Sequence, residues 1–90
     1  MADRRLQVFH TVARLLSFTK AAETLHMTQP AVTFQVRQLE EHFNTRLFDR
    51  THNRISLTEA GKRVFEYSDR IFEHYAEMES AVREMTGDVS

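Results

Sequence analysis

The chain has 90 residues and a net charge of −1, with 41% hydrophobic and 28% charged residues. This composition is typical of one small globular domain and excludes a disordered chain. The lack of cysteine excludes disulfides and thiolate metal sites, and no apolar run reaches the roughly 18 residues that a membrane span needs. No secretory signal is recognisable, so we predict a cytoplasmic protein.

The charges are distributed unevenly along the chain. Residues 1–58 contain eight basic and five acidic side chains, whereas residues 59–90 contain four basic and eight acidic ones. A basic first part suits contacts with phosphate groups, while DNA would repel the acidic second part. The net charge alone argues against a nucleic-acid-binding protein, but its distribution favours one whose second part points away from DNA.

Residues 3–16 have the periodicity of an amphipathic helix. Its predicted apolar face consists of Leu6, Phe9, Val12, Ala13 and Leu16. Arg4 and Arg5 lie at its start and mostly off that face, where they could reach DNA phosphates. The alternative interpretation is that this helix only completes a helical core.

Residues 18–27 predict a short second helix. Thr19 can serve as its N-cap, because its hydroxyl can accept a hydrogen bond from an N–H of the first turn. Ala21 and Ala22 place small side chains on the same face as Leu25, where a crossing helix must come close.

A third helix is predicted to begin after Thr28, the next candidate N-cap. Pro30 falls in its first turn, where the missing N–H costs nothing. Val32, Val36 and Leu39 recur at helical spacing and form a predicted buried stripe, and Asn44 is a plausible C-cap.

The opposite face of this third helix carries small, amide, hydroxyl, aromatic and guanidinium groups. They belong to Gln29, Ala31, Thr33, Phe34 and Arg37. Such side chains suit contacts with base edges in the major groove of DNA. The second and third helices therefore predict a helix-turn-helix whose third helix is the recognition helix.

Residues 47–57 predict a small β-hairpin. Two short runs flank a polar loop over residues 51–54, and the apolar side chains of Phe48, Ile55 and Leu57 are expected to pack on the helices. A hairpin directly after a recognition helix is a wing.

Basic and polar side chains surround the predicted tip of the wing. Arg50 and Arg54 are expected to flank it, with His52 and Asn53 between them. Arginine suits the narrow, strongly negative minor groove of DNA. The alternative is that these arginines are solvated turn residues.

A long last helix is predicted from Thr58, its N-cap, to about residue 86, with Gly87 at its end. Apolar and aromatic residues recur along it at spacings of three and four, close to a coiled-coil seam: Val64, Tyr67, Ile71, Tyr75, Met78, Val82 and Met85. A second stripe, Phe65, Ser68 and Phe72, lies beside the start of this seam.

One stripe can cover the head, which leaves the distal part of the other without a partner. A helix of this length spans roughly 42 Å, which exceeds the width of so small a head. We therefore predict that the seam pairs with a second copy of the chain across a two-fold axis. Burial against a following domain is the alternative, and both can hold.

The five histidines do not indicate a metal site or an enzyme. They are scattered singly, with no pair at i and i+4 and no cysteine beside them. No nucleophile is accompanied by a base and an orienting acid, so we predict neither catalysis nor a cofactor in this chain.

Five short motifs resemble those of the LysR-type bacterial transcriptional regulators, in the same order. They are FTKAAE at 18–23, TQPAVT at 28–33, QLEE at 38–41, RLFDR at 46–50 and LTEAG at 57–61. The resemblance extends from about residue 6 to residue 85. It implies a mainly α fold, with a winged helix-turn-helix head of three helices and a hairpin, followed by a long dimerising linker helix. Full-length members carry a further domain that binds a small-molecule effector, and they tend to form tetramers.

The resemblance also assigns roles to individual positions. Matching positions imply major-groove contacts from Gln29, Pro30, Ala31 and Thr33, with Phe34 and Arg37 adjoining, and phosphate contacts near Ser17, Thr19 and Thr28. Many members have arginine at position 34, where Phe34 can press on a thymine methyl but cannot contact guanine. The wing arginine often lies at position 53, which is Asn53 here. The apolar residue before Gln35 is similar to regulators of carbon-fixation genes.

We therefore predict a DNA-binding domain over residues 1–57, a linker and dimerisation helix over 58–86, and the start of a linker over 87–90. The predicted function is sequence-specific binding of double-stranded DNA, as a homodimer, at an interrupted inverted repeat. This would place the protein at the bacterial nucleoid. The alternative is a helical protein-interaction module that binds no DNA.

Overall fold

The computed structural model describes residues 3–87, in which three helices precede a hairpin and a long helix. The elements are α1 (Arg4–Leu15), α2 (Phe18–Leu25), α3 (Gln29–Phe43), β1 (Phe48–Thr51), β2 (Arg54–Leu57) and α4 (Glu59–Thr86). This order confirms the predicted fold class. The predicted linker segment at residues 88–90 lies outside the described residues.

The core of the head is formed where α1, α2 and α3 meet. The predicted stripe of α3 is buried, with Val32, Val36 and Leu39 no more than 3% exposed. Ala21 and Ala22 are buried as predicted, and their small side chains let α2 pack closely on its neighbours.

The predicted apolar face of α1 was wrong at Leu16 and incomplete at Val8. Leu16 is 48% exposed, whereas Val8 is fully buried beside Phe9 and Val12. Leu16 ends the helix as its C-cap, with a left-handed backbone of φ 51°. Because the chain turns at this residue, the Leu16 side chain leaves the face that the rest of α1 buries.

The hairpin is tighter than the predicted four-residue loop. β1 and β2 pair antiparallel, with Thr51 opposite Arg54, so both of these residues belong to strands. The turn consists of His52 and Asn53 alone, with φ angles of 54° and 58°. Positive φ at both positions is the requirement of a type I′ turn, whose twist matches that of the paired strands.

The main chain at Leu47 connects α3, β1 and α4, and we call these contacts the Leu47 junction. The carboxylate of Glu40 accepts hydrogen bonds from the Leu47 N–H at 2.8 Å and the Phe48 N–H at 3.3 Å. The Thr58 N–H donates to the Leu47 carbonyl at 3.0 Å. A Cβ atom on Gly61 would lie 2.1 Å from the Leu47 carbonyl oxygen, so only glycine permits this approach.

The first half of α4 packs on α1 through the predicted second stripe. The His10 ring stacks on Phe65 with 5.0 Å between centroids and meets Phe72 edge-on at 5.2 Å. Its Nε2 lies 2.6 Å from a carboxylate oxygen of Asp69. Ser68 is fully buried in this contact.

The second half of α4 extends beyond the head. The chain measures 52 × 25 × 19 Å, and the described residues from Ala76 onward are all exposed. In the part of the chain that is described, no helix is both long and apolar enough to cross a bilayer. The division into domains stays a prediction, since α4 also packs on the head.

Replacing Glu40 by alanine should destabilise the fold. Two main-chain N–H groups would lose their acceptor at a partly buried position, which should lower the free energy of unfolding by about 2–4 kcal/mol. Chemical denaturation followed by circular dichroism measures this change. Glu41→Ala is the matched control, because Glu41 is the exposed neighbour whose carboxylate makes no such bond. Equal stabilities of the two variants would contradict the structural role of Glu40.

Candidate nucleic-acid interface

The start of α3 is built as predicted. The Thr28 side chain accepts a hydrogen bond from the Ala31 N–H at 3.3 Å, and Pro30 lies in the first turn. Gln29 and Pro30 are exposed in consequence, because the helix begins at the surface of the head. The cap thereby places the first residues of α3 where a macromolecule can contact them.

The predicted reading face of α3 points outward. Gln29, Phe34 and Arg37 are exposed, while Ala31 and Thr33 are half-buried. Phe34 is 58% exposed, which is unusual for a phenyl ring and typical of a contact surface. Among the described residues, the side chains of Gln29, Thr33 and Arg37 have no hydrogen-bond partner, so their polar groups are available to a ligand.

A cleft of about 510 Å³ separates α3 from β1. Its walls combine aromatic, basic and acidic side chains: Phe18, Thr33, Val36, Arg37, Glu40, Glu41, Asn44, Thr45, Arg46, Phe48 and Arg50. The Glu40 carboxylate already accepts the two main-chain bonds of the Leu47 junction and lies 3.7 Å from Nε of Arg46. Three guanidinium groups therefore dominate the charge of the cleft.

Sequence reasoning did not assign a role to Arg46. Arg46 lies between α3 and β1, where no helical or strand periodicity marks its neighbours in space. Its charge was the only available signal. The structure places it in the cleft beside Glu40.

The structure contradicts the predicted location of Arg50 at the wing tip. Arg50 is paired with Ile55 inside the hairpin, and the residues that flank the tip are Thr51 and Arg54. The Arg50 guanidinium carbon lies 4.2 Å from the centroid of the Phe18 ring, at the start of α2. Arg50 therefore belongs to the cleft. Its predicted role in the minor groove stays untested.

The wing tip itself carries three exposed side chains, His52, Asn53 and Arg54. None of them forms a salt bridge or a side-chain hydrogen bond among the described residues. The backbone of the turn places them at the far end of the hairpin from the head. Their predicted contact with DNA has not been tested either.

The residues predicted near phosphates form two groups. Arg4 hydrogen-bonds Gln7 at 2.8 Å and lies 3.1 Å from the sulfur of Met27, which brings it close to Thr28 at the start of α3. Ser17 and Thr19 lie at the start of α2, next to the Arg50 contact.

Arg5 is engaged within the chain. Its Nη2 and Nε lie 2.8 and 3.2 Å from the two carboxylate oxygens of Asp3. These hydrogen bonds hold the pKa of Asp3 below its ordinary value. A phosphate would have to compete with Asp3 for this guanidinium.

The predicted N-cap of α2 was wrong by two residues. Ser17, not Thr19, precedes the helix, and its hydroxyl oxygen accepts the Lys20 N–H at 3.0 Å. Ser17 has the extended backbone of an N-cap, because the chain leaves the left-handed Leu16 in that direction. Thr19 lies inside the helix with an exposed side chain.

Most of the predicted seam on α4 is exposed. The exposed fractions are 54% for Tyr67, 44% for Ile71, 51% for Met78, 53% for Val82 and 86% for Met85. Tyr75 is half-buried, and Val64 packs against the core of the head instead of continuing the exposed row. The described residues contain no cluster of His, Asp or Glu arranged to hold a metal ion.

Residues 4–62 match the family of bacterial regulatory helix-turn-helix proteins called the lysR family. The RuBisCO operon transcriptional regulator of Allochromatium vinosum is 49% identical over 84 residues, which are 93% of this chain and 28% of that protein. The HTH-type transcriptional regulator CfxR of Cupriavidus necator is 45% identical over 80 residues, or 89% of this chain and 25% of that protein. The chain thus spans about a quarter of the length of these relatives.

Solved structures with the same fold cover almost the whole chain. The complex of the BenM DBD with catB site 1 DNA has a TM-score of 0.89 at 29% identity, covering 96% of this chain and 97% of that one. The CbnR DBD in its DNA complex has a TM-score of 0.84 at 34% identity, covering 96% and 99%.

Replacing Ser17 by alanine should remove the cap of α2. We expect the free energy of unfolding to fall by about 1 kcal/mol, because the Lys20 N–H loses its acceptor. Thr19→Ala is the control and should change it by less than about 0.5 kcal/mol. Thermal or urea unfolding of both variants measures the difference. A larger loss from Thr19→Ala would restore Thr19 as the cap.

Proposed function

This chain belongs to the LysR family of bacterial helix-turn-helix regulators, and from that premise we propose that it binds duplex DNA sequence-specifically as a homodimer. The observation that carries the proposal is the outward face of α3, whose polar side chains have no partner among the described residues. The buried stripe on the other side of α3 fixes which residues face outward. The regulatory family confirms that the chain is not an enzyme.

We assign base contacts in the major groove to the start of α3. Gln29 carries an amide that can pair with N6 and N7 of adenine, and Thr33 carries a hydroxyl that can contact several bases. Phe34 offers an apolar surface to a thymine methyl. Arg37, one turn further along, reaches a base or a phosphate.

We assign the adjoining minor groove to the wing tip. Arg54 begins β2 directly after the turn and is exposed, and His52 and Asn53 lie beside it. A narrow minor groove in A·T-rich DNA has enhanced negative potential, which favours an inserted arginine.

A two-fold dimer would present two recognition helices to an inverted repeat. Half-sites would lie about one helical turn, or a multiple of it, apart. The exposed seam on α4 supports this arrangement, since large apolar side chains there have no partner within the described head. A small-molecule effector and a tetramer belong to the predicted whole protein and stay predictions.

The comparisons support the DNA-binding proposal. The BenM and CbnR domains with this fold were solved as DNA complexes. The relatives named for the RuBisCO operon and CfxR agree with the resemblance to carbon-fixation regulators that the motifs predict. No observation favours the alternative of an interaction module without DNA binding.

Fluorescence anisotropy with the duplex upstream of the gene tests the proposal. We expect binding that resists scrambled competitor DNA and weakens steeply with salt, because neutralised phosphates release counterions. Gln29→Ala should cost about 1–3 kcal/mol of binding free energy at one symmetric base pair and relax its specificity. Gln38→Ala is the amide control, because Gln38 is not among the predicted base-contacting residues. Unchanged base preference of Gln29→Ala in a binding-site selection would exclude its role, and absence of any DNA binding would favour the interaction module.

Met78→Glu should weaken the dimer. A carboxylate in an apolar seam would lose hydration on pairing, so we expect the dimer dissociation constant to rise by at least about tenfold. Ser80→Glu adds the same charge at an exposed position off the seam and serves as control. Sedimentation equilibrium measures both, and circular dichroism should show an intact fold because Met78 is half exposed. Equal dimerisation of both variants would contradict pairing through this seam.

A further inference from the structure

The cleft between α3 and β1 lies between the two elements that we assign to different grooves. Thr33 and Arg37 of α3 line one wall, and Phe48 and Arg50 of β1 line the other. In a DNA duplex, one sugar–phosphate strand separates each major groove from the adjoining minor groove. A strand placed between α3 and the wing must therefore run along this cleft.

We propose that the cleft is a binding site for that backbone strand and that Arg50 is its phosphate ligand. The inference rests on the proposed function, since it assumes that α3 and the wing contact adjoining grooves. It gives Arg50 a different role from the one its sequence position indicated. The wing tip lies two residues, or about 7 Å along the strand, beyond Arg50.

The contact with Phe18 holds Arg50 in place. The guanidinium carbon lies 4.2 Å from the ring centroid, and the ring is itself fixed edge-on against Phe48 with 5.6 Å between centroids. Phe18 is only 8% exposed, so the platform under Arg50 is part of the core. A cation over an aromatic ring is attracted by the ring quadrupole.

The donors of Arg50 are free for a ligand. A guanidinium has five N–H donors, and those of Arg50 make no hydrogen bond or salt bridge within the described residues. A positioned guanidinium with free donors is suited to bidentate contact with phosphate oxygens. Because the side chain is already ordered on Phe18, less conformational entropy is lost when a phosphate binds.

The other charged groups of the cleft agree with an anionic ligand. Arg37 stands on the opposite wall, and Arg46 closes the end near Glu40. The Glu40 carboxylate faces the Leu47 and Phe48 N–H groups as well as Arg46, which compensates its charge. Glu41 is exposed at the rim.

Replacing Arg50 by glutamine tests the site. Loss of one phosphate contact should reduce the slope of log K against log salt by about 0.9, which corresponds to about an eightfold loss of affinity at 0.1 M salt. The loss should be the same on A·T-rich and G·C-rich flanks, because phosphates carry no sequence. Arg14→Gln, at an exposed position of α1 outside the cleft, removes the same charge and should leave the slope unchanged. Arg50→Lys keeps the charge and should retain most of the slope.

Phe18→Leu tests whether the ring positions Arg50. Leucine keeps an apolar side chain in the core but removes the aromatic face. We expect weaker DNA binding when Arg50 is present and little further effect in the Arg50→Gln background. Equal losses in both backgrounds would show that Phe18 acts only through the stability of the head.

The outcomes separate this inference from the proposed function. If the unmodified chain binds its site specifically but Arg50→Gln keeps the full salt slope, the backbone site is wrong while DNA binding stands. A loss confined to A·T-rich flanks would return Arg50 to the minor groove and overturn the inference. If the unmodified chain binds no DNA, the proposed function itself fails.

Discussion

The position of the Leu47 main chain is the constraint on which the recognition helix, the wing and the long helix all depend. Its N–H donates to Glu40 near the end of α3, and its carbonyl accepts from Thr58 at the start of α4. Gly61 lies against the same carbonyl, where no larger residue fits. Because all three elements are tied to one residue, their relative orientation is set together, and displacement of one would displace the others.

The rotation of α3 about its own axis is set separately, by its buried stripe. Val32, Val36 and Leu39 fill the core, so the residues on the opposite side face outward without any contact that selects them. Phe34 illustrates the consequence, since a phenyl ring 58% exposed would gain more from burial than from this position. Core packing on one side of α3 thereby creates a contact surface on the other.

Local patterns in the sequence were sufficient for the order of elements, the stripe of α3 and caps such as Thr58. They failed where two residues of similar chemistry compete, as with Ser17 and Thr19, because both hydroxyls can cap and the backbone decides. They also failed where contacts link distant parts of the chain. The stacking of Arg50 on Phe18 joins residues that share no periodicity, so the types of the site residues were predictable while the cleft was not.

The direction in which α4 leaves the head has consequences for the proposed dimer. The helix is fixed at Gly61 in its first turn and again at Asp69, which contacts His10, about 12 Å further along. A helix held at two points has a defined direction, so the exposed seam projects from the head at a set angle. The distance between two recognition helices then follows from the seam and from this joint. Substitutions at the joint would change the spacing of half-sites that the dimer accepts, although no residue there touches a base.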